Sequence, residues 1–463
     1  MTGFPDRGRA SSRRRGRGPS ALADGAPVDR ALGPARRTSK GGAVGAVASQ
    51  GMQALASFTI QVLVARTLGF DGLGAFAILY GTMQIVSAIT GGFVGDAYTV
   101  LDRHDRRIRS ALEQFAIAIP VVVALAGAGV FLAIGLTDVP ETIAVFLAMT
   151  LFSLEELVRR MLMASIVFWR VVAVDAIAFA VALAVVAGIW WWSTPSLLGF
   201  VAAVAAGQLV GGVIGVLFLP AGERRVVPFV LGGHREVFRY GFWRASQQVL
   251  RPAMLTAIRV IVTITASLAA VGMIEAARTY VAPVTLVVSG LGSFLFVHFA
   301  HDHDSTLFGK LRSADRAVLA LVALIAVVGA AMLLVLPWLG PLLFGEPLDV
   351  VAVLGWIAFS TSIAAVAPYG ALASVAGRQS AVFAIRAADT GLAVILAGVL
   401  LVVGGDPAYV PAVIAIAPIL GGIVVRNLLL VPLARRERRE AETAVEPDAA
   451  AEPEAAAEAG SDG

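Results

Sequence analysis

Cysteine is absent from the 463 residues, which excludes disulfides, thiolate catalysis and cysteine-ligated metal sites. Charge is scarce: Asp, Glu, Lys and Arg make up 15% of the chain, where a soluble domain carries about 25%. Lysine is nearly missing, with only Lys40 and Lys310 beside 34 arginines, a bias that fits a high-GC bacterial genome. No GxxxxGK[ST] segment occurs, so the chain hydrolyses no nucleotide by a P-loop. No connection between apolar runs is long enough to hold a glycosyltransferase or polymerase site. Histidine is limited to five residues, mostly in polar connections. The HDHD run at His301–Asp304 has metal-binding side chains, but its loop position favours a solvated turn. No enzyme activity, cofactor or metal is therefore expected.

What the chain does have is apolar sequence, with 58% hydrophobic residues and a mean hydropathy of +0.83. About 20 apolar residues cross the ~30 Å hydrocarbon layer of a bilayer. Twelve stretches meet that length, at approximately 42–66, 73–96, 111–136, 141–165, 170–192, 196–219, 241–265, 272–298, 316–338, 349–373, 379–403 and 408–432. Runs this long form helices, because a membrane barrel shows short alternating strands instead. Trp190–Trp192 ends the fifth stretch where an interfacial aromatic anchor belongs. The first stretch is expected to act as its own insertion signal.

Arginine marks alternate connections. The odd-to-even connections LTDVPE, STPS, ASLAAVG, GPLLFGEPLDV and GGDPAY hold no Lys or Arg, and ARTLGFDG holds only Arg66. The even-to-odd connections carry Arg103, Arg106, Arg107 and Arg109; Arg159, Arg160 and Arg170; Arg224, Arg225, Arg235 and Arg239; Lys310, Arg312 and Arg316; and Arg378 and Arg386. Positive loops stay cytoplasmic, so both termini are expected inside a bacterial cytoplasmic membrane. The net charge of +4 and pI near 9.7 reflect these loops and the tails. They point to anionic lipid head groups as partners, not to nucleic acid.

The longest connection lies near the middle and divides the core six plus six. The expected organisation is a disordered basic arm (1–40), a first lobe (41–219), a cytoplasmic linker (220–240), a second lobe (241–432) and a disordered charged tail (433–463). At an offset of 200 residues, Val62, Leu68, Gly72, Ala77, Tyr80, Gly92 and Asp102 match Val262, Leu268, Gly272, Ala277, Tyr280, Gly292 and Asp302. Two parallel halves about an axis along the membrane normal are a common transporter plan. The fold class is thus an all-α integral membrane protein of 12 transmembrane helices, in two six-helix lobes around a central cavity.

A charge inside a span costs several kcal/mol unless it faces protein or water. The seventh span, YGFWRASQQVLRPAMLTAIRVIVT, is the richest. Arg244, Gln248, Arg251 and Arg259 fall within about 80° of one another on it. The span holds no acid of its own. Arg251 and Arg259 are expected to meet an anionic, phosphate-bearing head group, because the planar guanidinium binds oxygens in pairs. The competing reading pairs them with acids on other helices. Arg244, nearer the interface, is expected to snorkel.

Matching stripes occur on partner helices: Gln50, Gln53, Ser57 and Gln61 on the first span, Tyr80, Gln84 and Ser87 on the second, and Glu275, Arg278, Ser289 and Ser293 on the eighth. They suit a wet cavity between lobes, against the alternative of hydrogen bonds in a dry bundle. In the fourth span, Glu155–Arg159 and Glu156–Arg160 read as i,i+4 pairs, and Arg386 with Asp389 on the eleventh as an i,i+3 pair. These are expected to be structural or gating ion pairs. Asp175 with Arg170 is expected at the interface.

Three segments together resemble a family. VARTLGFDGLGAFAI is similar to the ARxLGxxxxGxF signature of polysaccharide-type lipid-linked oligosaccharide flippases, within the multidrug/oligosaccharidyl-lipid/polysaccharide exporter superfamily. SLEELVRRMLMA resembles its fourth-span stretch, and VGMIEAARTYVAP its eighth-span stretch, with Glu275 in place of the usual aromatic. The resemblance spans about residues 41–432. It implies a V-shaped pair of lobes that moves an undecaprenyl-diphosphate-linked glycan between leaflets, and it carries over Arg66, Glu155, Arg159, Arg160 and Arg278. The family's acid late in the seventh span is Arg259 here, which leaves ion coupling open. The expected substrate-binding set is Arg251, Arg259, Arg278, Glu275, Gln248, Gln50, Gln53, Gln84 and Arg66. A major facilitator, echoed by Asp102–Arg107 with Asp105 replacing the motif glycine, and a drug exporter are the alternatives within transport. A scaffold for glycan-assembly enzymes is the alternative outside it, and such enzymes are also possible partners of a flippase.

Overall fold

The structure, a computed structural model, describes residues 40–440 apart from 225, 226 and 302–305, and also leaves out the side chains of 40–43, 287–298, 300 and 301. The expected arm up to residue 39, the tail from residue 441 on and the HDHD run beyond His301 lie outside the described residues, as do the side chains of Ser289 and Ser293; residues 433–440, expected in the disordered tail, instead continue the last helix.

The described chain is helical almost throughout. The first helix, Lys40–Thr90, is two arms broken at Gly69, whose φ of 67° and ψ of −169° suit a residue without a Cβ. The arms are α1 (40–68) and α2 (70–100), the latter running through a π turn at Gly91–Gly95 and a last turn at Asp96–Val100. Then follow α3 (Arg106–Ala133), α4 (Val139–Ala164), α5 (Phe168–Trp192), α6 (Leu197–Phe218), α7 (His234–Thr265), α8 (Leu268–His301), α9 (Leu307–Phe344), α10 (Val350–Val375), α11 (Gln379–Val402) and α12 (Pro407–Glu440). Each expected span falls within one of these segments or overlaps it to within a few residues. Among the described residues, nine helices are long and apolar enough to cross a membrane, the first counting α1 and α2 together. α4 and α8 are outside that set; α4 carries Glu141, Glu155, Glu156, Arg159 and Arg160.

Helix starts are set locally. Asp105, Asp138, Ser196, Thr306, Asp349 and Asp406 each accept a first-turn backbone N–H, and Asp138 with Glu141 forms a capping box. Such caps satisfy donors that the helix cannot and are worth about 1 kcal/mol each. Asp105, the residue that spoils the major-facilitator echo, is therefore the N-cap of α3, accepting from the Arg107 N–H at 2.9 Å.

The two lobes meet differently at their two ends. At the arginine-poor end one apolar core crosses the boundary: Val64 and Leu73 of the first lobe are fully buried and pack in a cluster with Val262, Val271 and Ala352 of the second. There the backbones touch. A Cβ on Gly272 would strike the Phe70 carbonyl, and one on Gly74 the Leu268 carbonyl. At the arginine-rich end the cores are smaller: one around Phe93, Ile108 and Leu157 also takes in Val237 and Ala245 of α7, and another around Phe299, Leu311 and Leu430 stays within the second lobe. The 220–240 connection docks on α2 and α3: Val227 and Val230 donate to Glu113 and Ser110, and Tyr98 and Arg103 reach Glu223.

Candidate functional site

α1, α2, α4, α7, α8 and α10 enclose a cavity in two adjoining compartments of about 330 Å³ and about 220 Å³, which share Ala54, Ser57 and Leu286 on their walls. The larger is lined by carboxamides, hydroxyls and one ion pair: Gln50, Gln53 and Ser57 from α1, Tyr80, Gln84 and Ser87 from α2, Glu156 with Arg160 from α4, and Gln248 from α7. Helical spacing places each set on one face. The smaller contains Arg251 and Arg278, with Gln61, Thr279, Thr285 and Ser360. The cavity thus has an amide-rich wall from the first lobe and a cationic wall from the second.

Arg251 is exposed to this space and has no hydrogen bond and no ion pair among the described residues. Arg278 also faces it, but its Nε donates to Glu275 Oε2 at 2.6 Å and its Nη2 to Gln61 Oε1 at 3.3 Å. Thr279 donates to the same Gln61 oxygen at 2.9 Å, so α1 and α8 are stitched across the lobe boundary at mid-height.

Arg259 does not share the open face with Arg251. It is 5% exposed, its Nε donates to Glu275 Oε1 at 2.8 Å, and the gap beside the pair is only about 10 Å³. The acid missing from α7 comes from the next helix, and Glu275 is itself buried between Arg259 and Arg278. Arg259 and Glu275 form a clamp behind the cationic wall. Gly81 of α2 leaves room for the Arg259 guanidinium, since a Cβ there would collide with Nη1. Arg66 is exposed at the arginine-poor end of α1 and is not among the cavity-lining residues.

The fourth span departs from the expected pairing. Arg159 pairs with Asp175 of α5 at 3.1 Å and with Glu156 at 3.4 Å, not with Glu155. Three-residue spacing and a neighbouring helix win because both acids lie on the side toward which the buried guanidinium points. Arg170 donates instead to the Phe218 carbonyl, so Asp175 is a buried clamp residue and not an interfacial one. Arg160 does pair with Glu156, at 3.2 Å. Glu155 is buried without a hydrogen bond or ion pair among the described residues, in a cavity of about 70 Å³ between α1, α4, α5 and α6. Arg386 and Asp389 line a further cavity but form no ion pair, because their carboxylate and guanidinium groups stay more than 4.0 Å apart.

Asp96 is the residue that sequence reasoning missed. It follows the π turn of α2 and accepts from Arg244 of α7 at 2.7 Å, from Gln248 at 2.8 Å and from Arg160 of α4 at 3.1 Å. Arg160 also donates to Gln248 at 3.2 Å. Arg244 is therefore held by an acid of the other lobe instead of snorkelling. This latch closes the arginine-rich end of the cavity. The GGFVG turn makes it possible: Cβ atoms on Gly91 or Gly95 would meet the Arg160 side chain, and one on Gly92 the backbone of Ala245. The GGFVG run before Asp96 was a usable signal, since glycines inside a span permit close approach of another segment. Among the described residues no group of three or more His, Cys, Asp or Glu could hold a metal.

No protein-family model and no curated protein matches the sequence. Solved structures do. An inward-facing multidrug resistance MATE family transporter of the MOP superfamily superposes with a TM-score of 0.62 at 12% identity, covering 85% of this chain and 99% of its own. The lipid II flippase MurJ in an inward closed conformation gives 0.63 at 10% identity, covering 84% and 87%. A MOP superfamily transporter from Pyrococcus furiosus, described by a reversed polarity of its binding pocket, gives 0.57 at 11% identity, covering 85% and 95%. With a cavity between two bundles and an interlobe latch at one end, the chain has the fold of the MOP superfamily transporters.

Proposed function

We propose that the protein translocates a lipid-linked, anionic glycan, with undecaprenyl-diphosphate-linked oligosaccharide as the substrate class, across a bacterial cytoplasmic membrane by alternating access. The observation that carries this reading is Arg251: an unneutralised guanidinium open to one compartment of the central cavity, next to the compartment lined by the carboxamides of Gln50, Gln53 and Gln84. Burying a charge without a partner is costly. A substrate phosphate offsets that cost, and fork-like guanidinium geometry suits its oxygens. Carboxamides and hydroxyls offer both donors and acceptors, as sugar hydroxyls need.

The lobes rock about contacts at the two ends, the latch at Asp96 releasing to admit the head group while the lipid tail stays in the bilayer. Both termini are cytoplasmic in this reading, from the arginine-rich connections. An anionic head group that keeps net charge in transit makes the rate depend on membrane potential, since one charge across 100 mV is worth about 2.3 kcal/mol.

The test is translocation in proteoliposomes. Arg251→Ala is expected to insert and melt like the parent while losing glycan translocation by about ten- to a hundredfold, the effect of removing one charged hydrogen-bonding group. A scaffold for assembly enzymes would translocate nothing in either form. A drug-type exporter would move lipophilic cations instead, and Arg251→Ala would raise that rate by removing a repelling charge.

A further inference from the structure

A second cavity lies inside the second lobe. α7, α10, α11 and α12 enclose about 130 Å³, lined among others by Gln247, Arg251, Arg386, Asp389 and Thr390. Arg251 sits in the wall between this space and the central cavity, lining both.

The arginines of the spans differ in their partners. Arg66 and Arg170, at helix ends away from this cavity, hold no carboxylate among the described residues. Arg159, Arg160, Arg244, Arg259, Arg278 and Arg426 each hold a carboxylate in an ion pair. Arg251 and Arg386 hold none among the described residues, and they share this one cavity. Arg251 shares the wall of the central compartment with Arg278 and the wall of this one with Arg386, both of its own sign. One carboxylate, Asp389, stands at the same wall as Arg386. It is wedged against α12, where a Cβ on Gly421 would collide with its oxygens. Two guanidinium groups thus face one acid that the packing holds beyond ion-pair distance. The cost of unneutralised charge at membrane depth is several kcal/mol. The cavity is several times larger than the ~30 Å³ share of one water molecule, and Gln247 and Thr390 add neutral hydrogen-bonding groups to its wall.

We propose that this cavity is an oxyanion site: Arg251 and Arg386 together hold a phosphate group there, separately from the head group in the central cavity. Because Arg251 borders both spaces, occupancy of one site weakens the other. An anion in the lobe therefore neutralises Arg251 when the central cavity is empty and is displaced when a substrate arrives. The site stands whether or not the substrate is a glycan lipid, because it rests on the arginine pair alone.

The phosphate could come from solution or from an anionic lipid, since Arg386 lies two turns into α11 from its arginine-rich end. Two arms separate the sources. In the first, the protein is held in phosphatidylcholine nanodiscs and titrated with inorganic phosphate. In the second, phosphate is omitted, phosphatidylglycerol is added and lipid retained on the protein is counted by native mass spectrometry. Saturable binding in either arm that weakens about tenfold in Arg386→Gln and is kept in Arg386→Lys supports the site and names its source. Asp389→Asn removes the one competing carboxylate and is expected to tighten binding severalfold, which keeps the test decisive should Arg386→Gln fold poorly. No saturable binding in either arm, binding unchanged by Arg386→Gln, or weaker binding in Asp389→Asn overturns the proposal. None of these readouts involves translocation, so a failure here leaves the substrate reading intact, and the reverse also holds.

Discussion

The two lobes share an architecture and carry opposite charge. Inside the first lobe, Glu155, Glu156 and Asp175 face Arg159 and Arg160; inside the second, Arg251, Arg259, Arg278 and Arg386 face Glu275 and Asp389. Each lobe ties a pair of consecutive helices with one buried clamp, Arg159–Asp175 at 3.1 Å and Arg259–Glu275 at 2.8 Å. Each then leaves groups without an ion pair among the described residues: Glu155 in the first lobe, and Arg251 and Arg386 with one acid, Asp389, in the second. The clamps are structure, and the leftover charges are what a ligand can use. A bundle that had only to balance its charges would pair them within each lobe; this one keeps cations on the walls of open space.

The largest effect expected from breaking this arrangement is on the clamps. Arg159→Ala strands Asp175, and Glu275→Ala strands both Arg259 and Arg278. Removing one partner of a buried pair costs about 3–5 kcal/mol. Thermal unfolding in detergent should show both variants strongly destabilised, with Glu275→Ala the worse because two cations lose one acid. If either melts like the parent, the clamp is not buried as described.

The latch comes next. Asp96→Asn keeps shape but loses the charge that Arg244, Arg160 and Gln248 converge on. Charged hydrogen bonds are worth about 1.5–3 kcal/mol, so the open population at the arginine-rich end should rise about tenfold or more. The chain has no cysteine, so a single Gln84→Cys on the cavity wall reports opening cleanly. Its labelling rate from that side should rise in Asp96→Asn and fall back at high substrate.

The amide wall should give a smaller effect. Gln53→Leu removes a neutral group from the cavity and is expected to cost about 1 kcal/mol of head-group affinity, seen as a severalfold higher KM for a glycan lipid. The same lipid with its sugars removed should show no change. The smallest effect is expected from Glu155→Gln. No group is paired with Glu155 among the described residues, so its melting should shift by less than about 1 kcal/mol, in contrast to Arg159→Ala one turn away.

These outcomes track what the sequence could and could not announce. Span positions were readable because hydrocarbon thickness fixes helix length, and Gly69 and the capping residues punctuate the chain where the helices begin and end. The polar stripes of α1, α2 and α7 were readable because side chains repeat every 3.6 residues along a helix; Gln50, Gln53, Gln84 and Gln248 do meet in one cavity. Partnership was not readable. Spacing on one helix suggested Glu155–Arg159, but Asp175 came from a neighbouring helix, and Arg259 found Glu275 the same way. Asp96 ends the second expected span, and its role appears only when α7 is brought beside α2. Arg386 and Asp389 had the spacing of a pair, yet α12 packing keeps them apart. One-dimensional periodicity gives the face of a helix, and only the three-dimensional neighbours decide whether a charge on that face is spent or free.

The account turns on Arg251 being free for an anion. The direct measurement is equilibrium binding of a polyprenyl-diphosphate-linked glycan to the purified protein in neutral nanodiscs, parent against Arg251→Ala, with melting temperature recorded on the same samples. The expected result is affinity at least about tenfold weaker at an unchanged melting temperature. Equal affinity in the two proteins, or a loss of affinity that merely follows a loss of stability, would contradict it.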